Sequence, residues 1–329
     1  MLKIFTHHPS RDDSKLQGIV QFSRLSGLKS GLEKLGVPFL YQPPLDFMPE
    51  GNVLVISDHM VLREIYKRKK QNNTFNLLAG PILEIEDTHS MGAKDLITGP
   101  DIENPLSTLD KLDTLFSRKE VDGVLTAGSW AREGWRFAAP EIGMKTFEWF
   151  AGVDTDFWDG KTAPKPKHAL LYAKTNPGIV KNAHQALRSL GIDVTLIEYG
   201  HYNKETYKKV LAAVDFAVFV SEKETQGIAL AEAWAMNVPT FCWDPFHSFM
   251  NGAALLPTSS CPYITKQTGN RWRNVEDLKN LLYIYKRDYY SPRSWVLENM
   301  SDTVSAQRLL DIFNIVNAKK SGLIKNYVR

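Results

Sequence analysis

The sequence predicts an α/β protein built from two doubly wound, Rossmann-like domains, and three observations carry that expectation. The 329 residues fit two domains of roughly 150 residues each. Short apolar runs alternate with amphipathic stretches, the pattern of parallel strands joined by helices that cover both faces of a sheet. The alternation is found on both sides of Lys161-Thr-Ala-Pro-Lys-Pro-Lys-His168, whose Pro and Lys content suits an exposed linker.

In the first series, Leu2 to Phe5, Phe39 to Tyr41, Val53 to Ile56, Asn76 to Leu78, Asp95 to Thr98 and Gly123 to Thr126 read as strands, and Val20 to Leu35 and Val61 to Lys70 as helices. In the second, His168 to Tyr172 reads as a buried strand, Ile179 to Leu190 as a helix closed by Gly191, and Val194 to Glu198 as a strand. Lys204 to Ala213 follows as a helix and Phe216 to Val220 as a strand. Ser301 to Val316 has helical periodicity after the turn signal Ser291-Pro292-Arg293. The expected division is residues 1–158, residues 159–300, and a C-terminal helix and tail, 301–329, packing back on the first domain.

Composition narrows the class without naming a ligand. Hydrophobic residues at 43% and charged residues at 23% are those of an ordinary soluble globular chain. A formal charge of +3 from 40 basic and 37 acidic residues is too small an excess to argue for a nucleic-acid partner. Cys242 and Cys261 lie in different segments, neither at a zinc-like spacing, and read as reduced thiols. The start of the chain carries no signal peptide and no apolar run is long enough to span a membrane, so a cytoplasmic location is expected, with peripheral contact at the inner membrane face.

The chemistry concentrates after the strand ending at Val220. Ser221-Glu-Lys-Glu-Thr-Gln-Gly227 is a polar loop, Ile228-Ala-Leu-Ala-Glu-Ala-Trp-Ala-Met236 a helix, and Asn237-Val-Pro239 its stop. The helix start therefore points at the strand ends where open α/β sheets bind ligands. Its backbone N–H groups, from Thr225 to Ile228, suit a diphosphate or sugar hydroxyls. Glu232 is the one charge in an otherwise apolar helix, and its carboxylate needs donors. A ribose diol would supply two, and a neighbouring Lys or backbone amide would serve as well, so a ligand-binding and a purely structural reading are both open. Glu224 taken alone reads as a solvated loop carboxylate.

Glu224 and Glu232, with seven residues between them in Glu-Thr-Gln-Gly-Ile-Ala-Leu-Ala-Glu-Ala-Trp-Ala-Met-Asn-Val-Pro-Thr, resemble the E-x7-E segment of retaining GT-B glycosyltransferases of the GT4 type. Thr126-Ala-Gly-Ser129-Trp130 and Gly152-Val-Asp-Thr-Asp-Phe-Trp158 are similar to the segments that close the N-terminal domain in that family. Leu170-Leu-Tyr-Ala-Lys174 and the Gly18 loop match more weakly. The resemblance implies a GT-B fold, two Rossmann-like domains facing each other across a cleft, with the acceptor on the first and the nucleotide-sugar donor on the second.

It also implies roles. Glu224 and the amides of Thr225, Gln226, Gly227 and Ile228 would hold the donor sugar, Glu232 the ribose, and Lys174 the leaving diphosphate, with Lys181 as second cation and Gly18 near the phosphates. Fixed Lys charges would stand in for a metal, so no metal and no cofactor is expected beyond a UDP- or GDP-linked sugar. The implied reaction is transfer of a sugar to a hydroxyl of a glycan or lipid-linked acceptor, an EC 2.4 type, with retention of configuration. The other reading is a non-catalytic nucleotide-sugar or glycan-binding module of the same fold.

Two departures from the family pattern stand out: Lys174 and Lys181 are seven residues apart where the family's cations are about five apart, and the strand end Asn76-Leu-Leu-Ala-Gly-Pro81 lacks the family's His. His59, after an earlier strand, is a catalytic candidate facing acceptor or sugar, although Asp58 and His59 also suit a helix cap. His7 and His8 point to opposite faces of an extended chain and read as one packed and one solvated side chain, and the acidic loop Glu84-Ile-Glu-Asp-Thr-His89 reads as solvated rather than metal-binding. Tyr66-Lys-Arg-Lys-Lys70 reads as a solvated helix face. Trp130, Trp135, Trp149 and Trp158 read as core. The absence of Gly-x-Gly-x-x-Gly after the first strand and of a Gly-Lys-Ser/Thr loop argues against a dehydrogenase or a P-loop NTPase.

Overall fold

The computed structural model describes residues 1–6, 20–44, 50–56, 59–82, 118–138, 140–245, 248–251 and 254–323. The chain divides into two compact units, Met1–Ala151 with Ser305–Arg329, and Gly152–Val304.

The first unit holds six parallel strands: β1 (Leu2–Phe5), β2 (Phe39–Tyr41), β3 (Gly51–Val55), β4 (Phe75–Ile82), β5 (Gly123–Thr126) and β6 (Thr146–Glu148). They lie in the order β2-β1-β3-β4-β5-β6. Successive residues of a strand point to opposite faces, and this sheet uses both. Leu2, Ile4, Leu54, Leu78 and Leu125 enter one core with Leu25, Leu28 and Leu32 of helix α1 (Val20–Lys34) and with Leu309, Ile312, Phe313 and Val316 of the chain's last helix, Asp302–Lys320. Phe5, Val53, Val55, Leu77, Ala79 and Val124 enter the other, with Val61, Leu62 and Ile65 of α2 (His59–Gln71). Helix α3 (Ser129–Ala138) starts at the Ser-Trp pair, and its Trp135 closes the second core. The short α4 (Pro140–Gly143) follows.

Two expectations need correction here. Helix α2 starts at His59, two residues before Val61. The basic run at its end is not a uniformly solvated face: Lys69 is 1% exposed and ion-paired with Asp122. The other Asp122 oxygen takes Lys320 at 3.0 Å, and the backbone N–H of Leu77 donates to the carboxylate at 2.7 Å. Helical geometry turns Lys69 inward with Ile65, one turn earlier, and a distant carboxylate compensates the buried charge. Burial still outweighs the carboxylate and lowers the Lys69 pKa to about 8.

The second unit holds a five-stranded parallel sheet of β7 (His168–Ala173), β8 (Asp193–Glu198), β9 (Phe216–Val220), β10 (Thr240–Trp243) and β13 (Gly269–Trp272), with a separate antiparallel pair, β11 (Ser248–Asn251) and β12 (Ala254–Pro257). The sheet order is β13-β10-β9-β7-β8. Its helices are α5 (Pro177–Ser189), α6 (Lys204–Ala213), α7 (Ile228–Ala235), α8 (Val275–Tyr283) and α9 (Pro292–Asn299). Their starts are set by local chemistry. Asn176 accepts from Ile179 N with Pro177 in the first turn, Asn203 accepts from Thr206 N, and Asn274 forms a reciprocal capping box with Asp277.

From β7 the chain moves to β8 on one side, and from β9 to β10 on the other. The C-terminal ends of β7 and β9 are therefore a topological switch point, the place where open α/β sheets leave a crevice for ligand. Trp135, Trp149 and Trp158 are all buried, as expected of core tryptophans, and Trp130 is half-buried.

Candidate active site

The residues singled out in the second half of the sequence gather at this switch point. Lys174 and Thr175 leave β7, and the backbone N–H of Lys174 donates to Val220 O at 3.0 Å, tying the strand end to that of β9. Ser221 follows β9 directly, and the loop from it delivers Glu224, whose backbone N–H donates to Ser259 O at 2.8 Å. Lys174 Nζ donates to Glu224 Oε1 at 2.7 Å, and the Ser221 hydroxyl lies 3.1 Å from the same oxygen. Two residues fifty positions apart thus form an ion pair because parallel strands β7 and β9 end side by side.

Helix α7 begins at Ile228 after Gly227, which adopts φ +66°. That left-handed conformation is cheap for glycine, and glycine has no side chain to cap with. Among the described residues no side-chain cap bonds the helix start, and the first-turn N–H groups point toward the strand ends with the positive end of the helix dipole behind them. Apart from Glu232 the helix is apolar all round, and every residue from Leu230 to Ala235 is buried. From below, the Tyr207 hydroxyl donates to Ala229 O at 2.9 Å, and Trp234 Nε1 donates to Thr240 Oγ1 at 2.9 Å. At its far end Arg293 donates to Ala235 O at 2.6 Å and also to Trp158 O, fixing the helix to the segment that opens the unit.

Glu232 sits in this apolar helix at 7% exposure. Among the described residues its carboxylate makes no hydrogen bond and no ion pair. Burial pushes its carboxyl up to about 8, against a downward pull from Lys204, the first residue of α6. The Tyr202 phenol lies in the field of both Glu232 and Glu224. It is hydrogen-bonded to the Tyr172 hydroxyl at 2.9 Å, and burial raises the pKa of both.

The other expected residues are distributed as follows. Thr225, Gln226, Gly227 and Ile228 form the turn into α7, with Gln226 and Gly227 buried. Lys181 is exposed on α5 and makes no contact with Glu224 or Glu232. His59 opens α2, and its side chain lies outside the described residues, as do Gly18, His7, His8, Asp58, the Glu84–His89 loop and the Asp95–Thr98 segment. Ser221, Tyr199, Tyr202 and Lys204 were not singled out from sequence. The available signal was position, since all of them follow the C-terminal end of a parallel strand. Among the described residues no three His, Cys, Asp or Glu side chains are grouped so as to hold a metal ion. No helix of the described residues is long and apolar enough to cross a membrane.

No protein-family model and no curated protein matches the chain. Solved structures do. A glycosyltransferase from Rickettsia africae ESF-5 superposes with a TM-score of 0.59 at 12% identity, covering 96% of this chain and 98% of that one. The lipopolysaccharide outer core galactosyltransferase WaaB, in its apo form, gives a TM-score of 0.52 at 12% identity over 97% of this chain and 100% of that one. The catalytic domain of starch synthase IV from Arabidopsis thaliana, bound to ADP and acarbose, gives 0.52 at 11% identity over 90% of this chain and 77% of that one.

The fold is GT-B. At these identities the likeness extends to architecture, and the case for chemistry rests on the side chains. In this GT-B chain the parallel sheet of the second unit places a cation, Lys174, a carboxylate, Glu224, and the uncapped start of α7 around one strand-end crevice. It buries a second carboxylate, Glu232, about one helical turn into α7.

Proposed function

We propose that the protein is a glycosyltransferase that binds a UDP- or GDP-linked sugar in its second unit and passes the sugar to a hydroxyl of a glycan or lipid-linked acceptor. The observation that carries this reading is Glu232. A buried carboxylate with no hydrogen-bond donor among the described residues is costly to keep, and a vicinal diol is the ligand chemistry that supplies two donors at once. Its position in the first turns of α7, the helix that the Glu224 loop leads into, supports a ribose there, with the diphosphate at Lys174 and the helix N-terminus.

Breaking the anomeric bond puts negative charge on the departing phosphate and positive charge on the sugar ring. Lys174 and the α7 dipole answer the first, and Glu224, released from Lys174 as the diphosphate takes over that cation, answers the sugar hydroxyls. Lys174 would do the work a divalent ion does elsewhere. This reading gives no carboxylate a nucleophilic role, and a donor phosphate oxygen is the proposed base for the incoming hydroxyl, with configuration retained.

The test is a thermal-shift panel of uridine- and guanosine-diphosphate sugars in EDTA, on wild type and Glu232→Ala, followed by assay of released nucleotide. An upward shift with one base, lost in Glu232→Ala, is expected. No shift with any nucleotide sugar sinks the reading. Binding without turnover towards any acceptor or water would favour the non-catalytic module instead.

A further inference from the structure

Lys174 has a second partner besides Glu224. Its ammonium lies 4.8 Å from the centroid of the Tyr199 ring. Tyr199 directly follows β8, and its backbone N–H donates to Ala173 O at 2.8 Å, so the strand ladder carries the ring to the residue beside Lys174. The side chain is 46% exposed and takes part in no aromatic pair among the described residues, and its hydroxyl makes no hydrogen bond there. A large ring left half in solvent, with a cation against its face, is not a core residue. Its distinctive contact is the ammonium.

We infer that Tyr199 is a positioning residue for Lys174, holding the ammonium at the diphosphate subsite while Glu224 exchanges that cation for the donor sugar. The inference rests on the donor-site reading above. Lysine has a flexible four-carbon stem, and once Glu224 turns away nothing else among the described residues fixes the charge. An aromatic face attracts the cation without competing for its hydrogen-bond donors, which stay available to phosphate oxygens. The hydroxyl is dispensable on this account and the ring is not.

The experiment compares wild type with Tyr199→Phe, Tyr199→Trp and Tyr199→Leu in two measurements. Calorimetric titration with inorganic pyrophosphate, UDP and GDP reads the effect on the subsite, and carbon-13 lysine spectra of the ligand-free protein read the upfield ring shift on the Lys174 side chain. In Tyr199→Leu pyrophosphate should bind about twofold to fivefold more weakly, with wild-type affinity kept in Tyr199→Phe and Tyr199→Trp and the Lys174 ring shift lost only in Tyr199→Leu. Equal pyrophosphate affinity in wild type and Tyr199→Leu overturns the inference. So does a loss confined to UDP and GDP, which would make the ring a base-stacking surface. If wild type binds none of the three ligands, the donor-site reading fails. The lysine spectra then decide the anchor alone: a Lys174 shift identical in wild type and Tyr199→Leu overturns it too.

Discussion

Melting wild type and Glu232→Gln side by side between about pH 5 and pH 9 isolates the carboxyl at the centre of the site. Burial raises it from 4.5 to about 8. Below 4.5 the group is protonated in the folded and the unfolded chain alike. Between 4.5 and about 8 the unfolded chain gives up the proton while the folded chain keeps it. The folded state binds more protons throughout that window, so stability falls as the pH rises, and above the folded pKa the whole cost of a buried charge is in place. Each pH unit crossed costs roughly 1.4 kcal/mol, which makes the fall between pH 5 and pH 8 about 4 kcal/mol. For a unit of this size that is a drop in Tm of roughly 8–16 °C.

Glu232→Gln keeps the shape and removes the titration. Its Tm should therefore stay level over the same range and exceed that of wild type by a margin that widens with pH. Scanning calorimetry, following the transition of the unit that carries α7, reads the difference directly. Parallel profiles for the two proteins would refute the reasoning, because they would mean that the Glu232 carboxylate is solvated or already paired and has no need of a diol.

Two further substitutions probe the frames of the two units, one in each. Asp122→Asn leaves the buried Lys69 ammonium without its charge partner and should cost about 3–5 kcal/mol in urea denaturation; a loss below about 1 kcal/mol would show that the pair is not buried in solution. Gly269→Ala would drive a methyl group into the carbonyl oxygen of Thr240 across the β10–β13 ladder, at a backbone φ of +158°. The expected result is a loss of about 3 kcal/mol or more and weakened amide protection along β13, and a fully protected β13 in the variant would contradict it.

Much of the frame was legible because it follows from local rules. Leu2 to Phe5, Gly123 to Thr126 and Phe216 to Val220 are apolar runs of strand length, and each is a strand over those residues. Lys204 to Ala213 is a helix between the predicted ends because Asn203 caps it. Beyond Pro239 the sequence predicts only the C-terminal helix, and β10, β13, α8 and α9 are found in the structure alone. Thr240–Trp243 and Gly269–Trp272 mix polar and apolar residues with no clean alternation, unlike those apolar runs. Cys242 and Cys261 lie in separate segments of the sequence, yet the fold buries both thiols close enough for each to shift the other's pKa.

The sequence by itself determined the fold class, the paired glutamates and the helix that carries the second of them, because periodicity, capping and residue type act over a few positions. The tertiary structure alone decided that Lys174 meets Glu224 and Tyr199, that Lys181 meets neither, and that Lys69 is buried. Those outcomes depend on strand order. β7 lies between β8 and β9, so their C-terminal ends deliver Lys174, Tyr199 and Glu224 to one place. The burial that gives Glu232 its raised pKa is likewise a property of everything packed around α7, which no run of neighbours along the chain encodes.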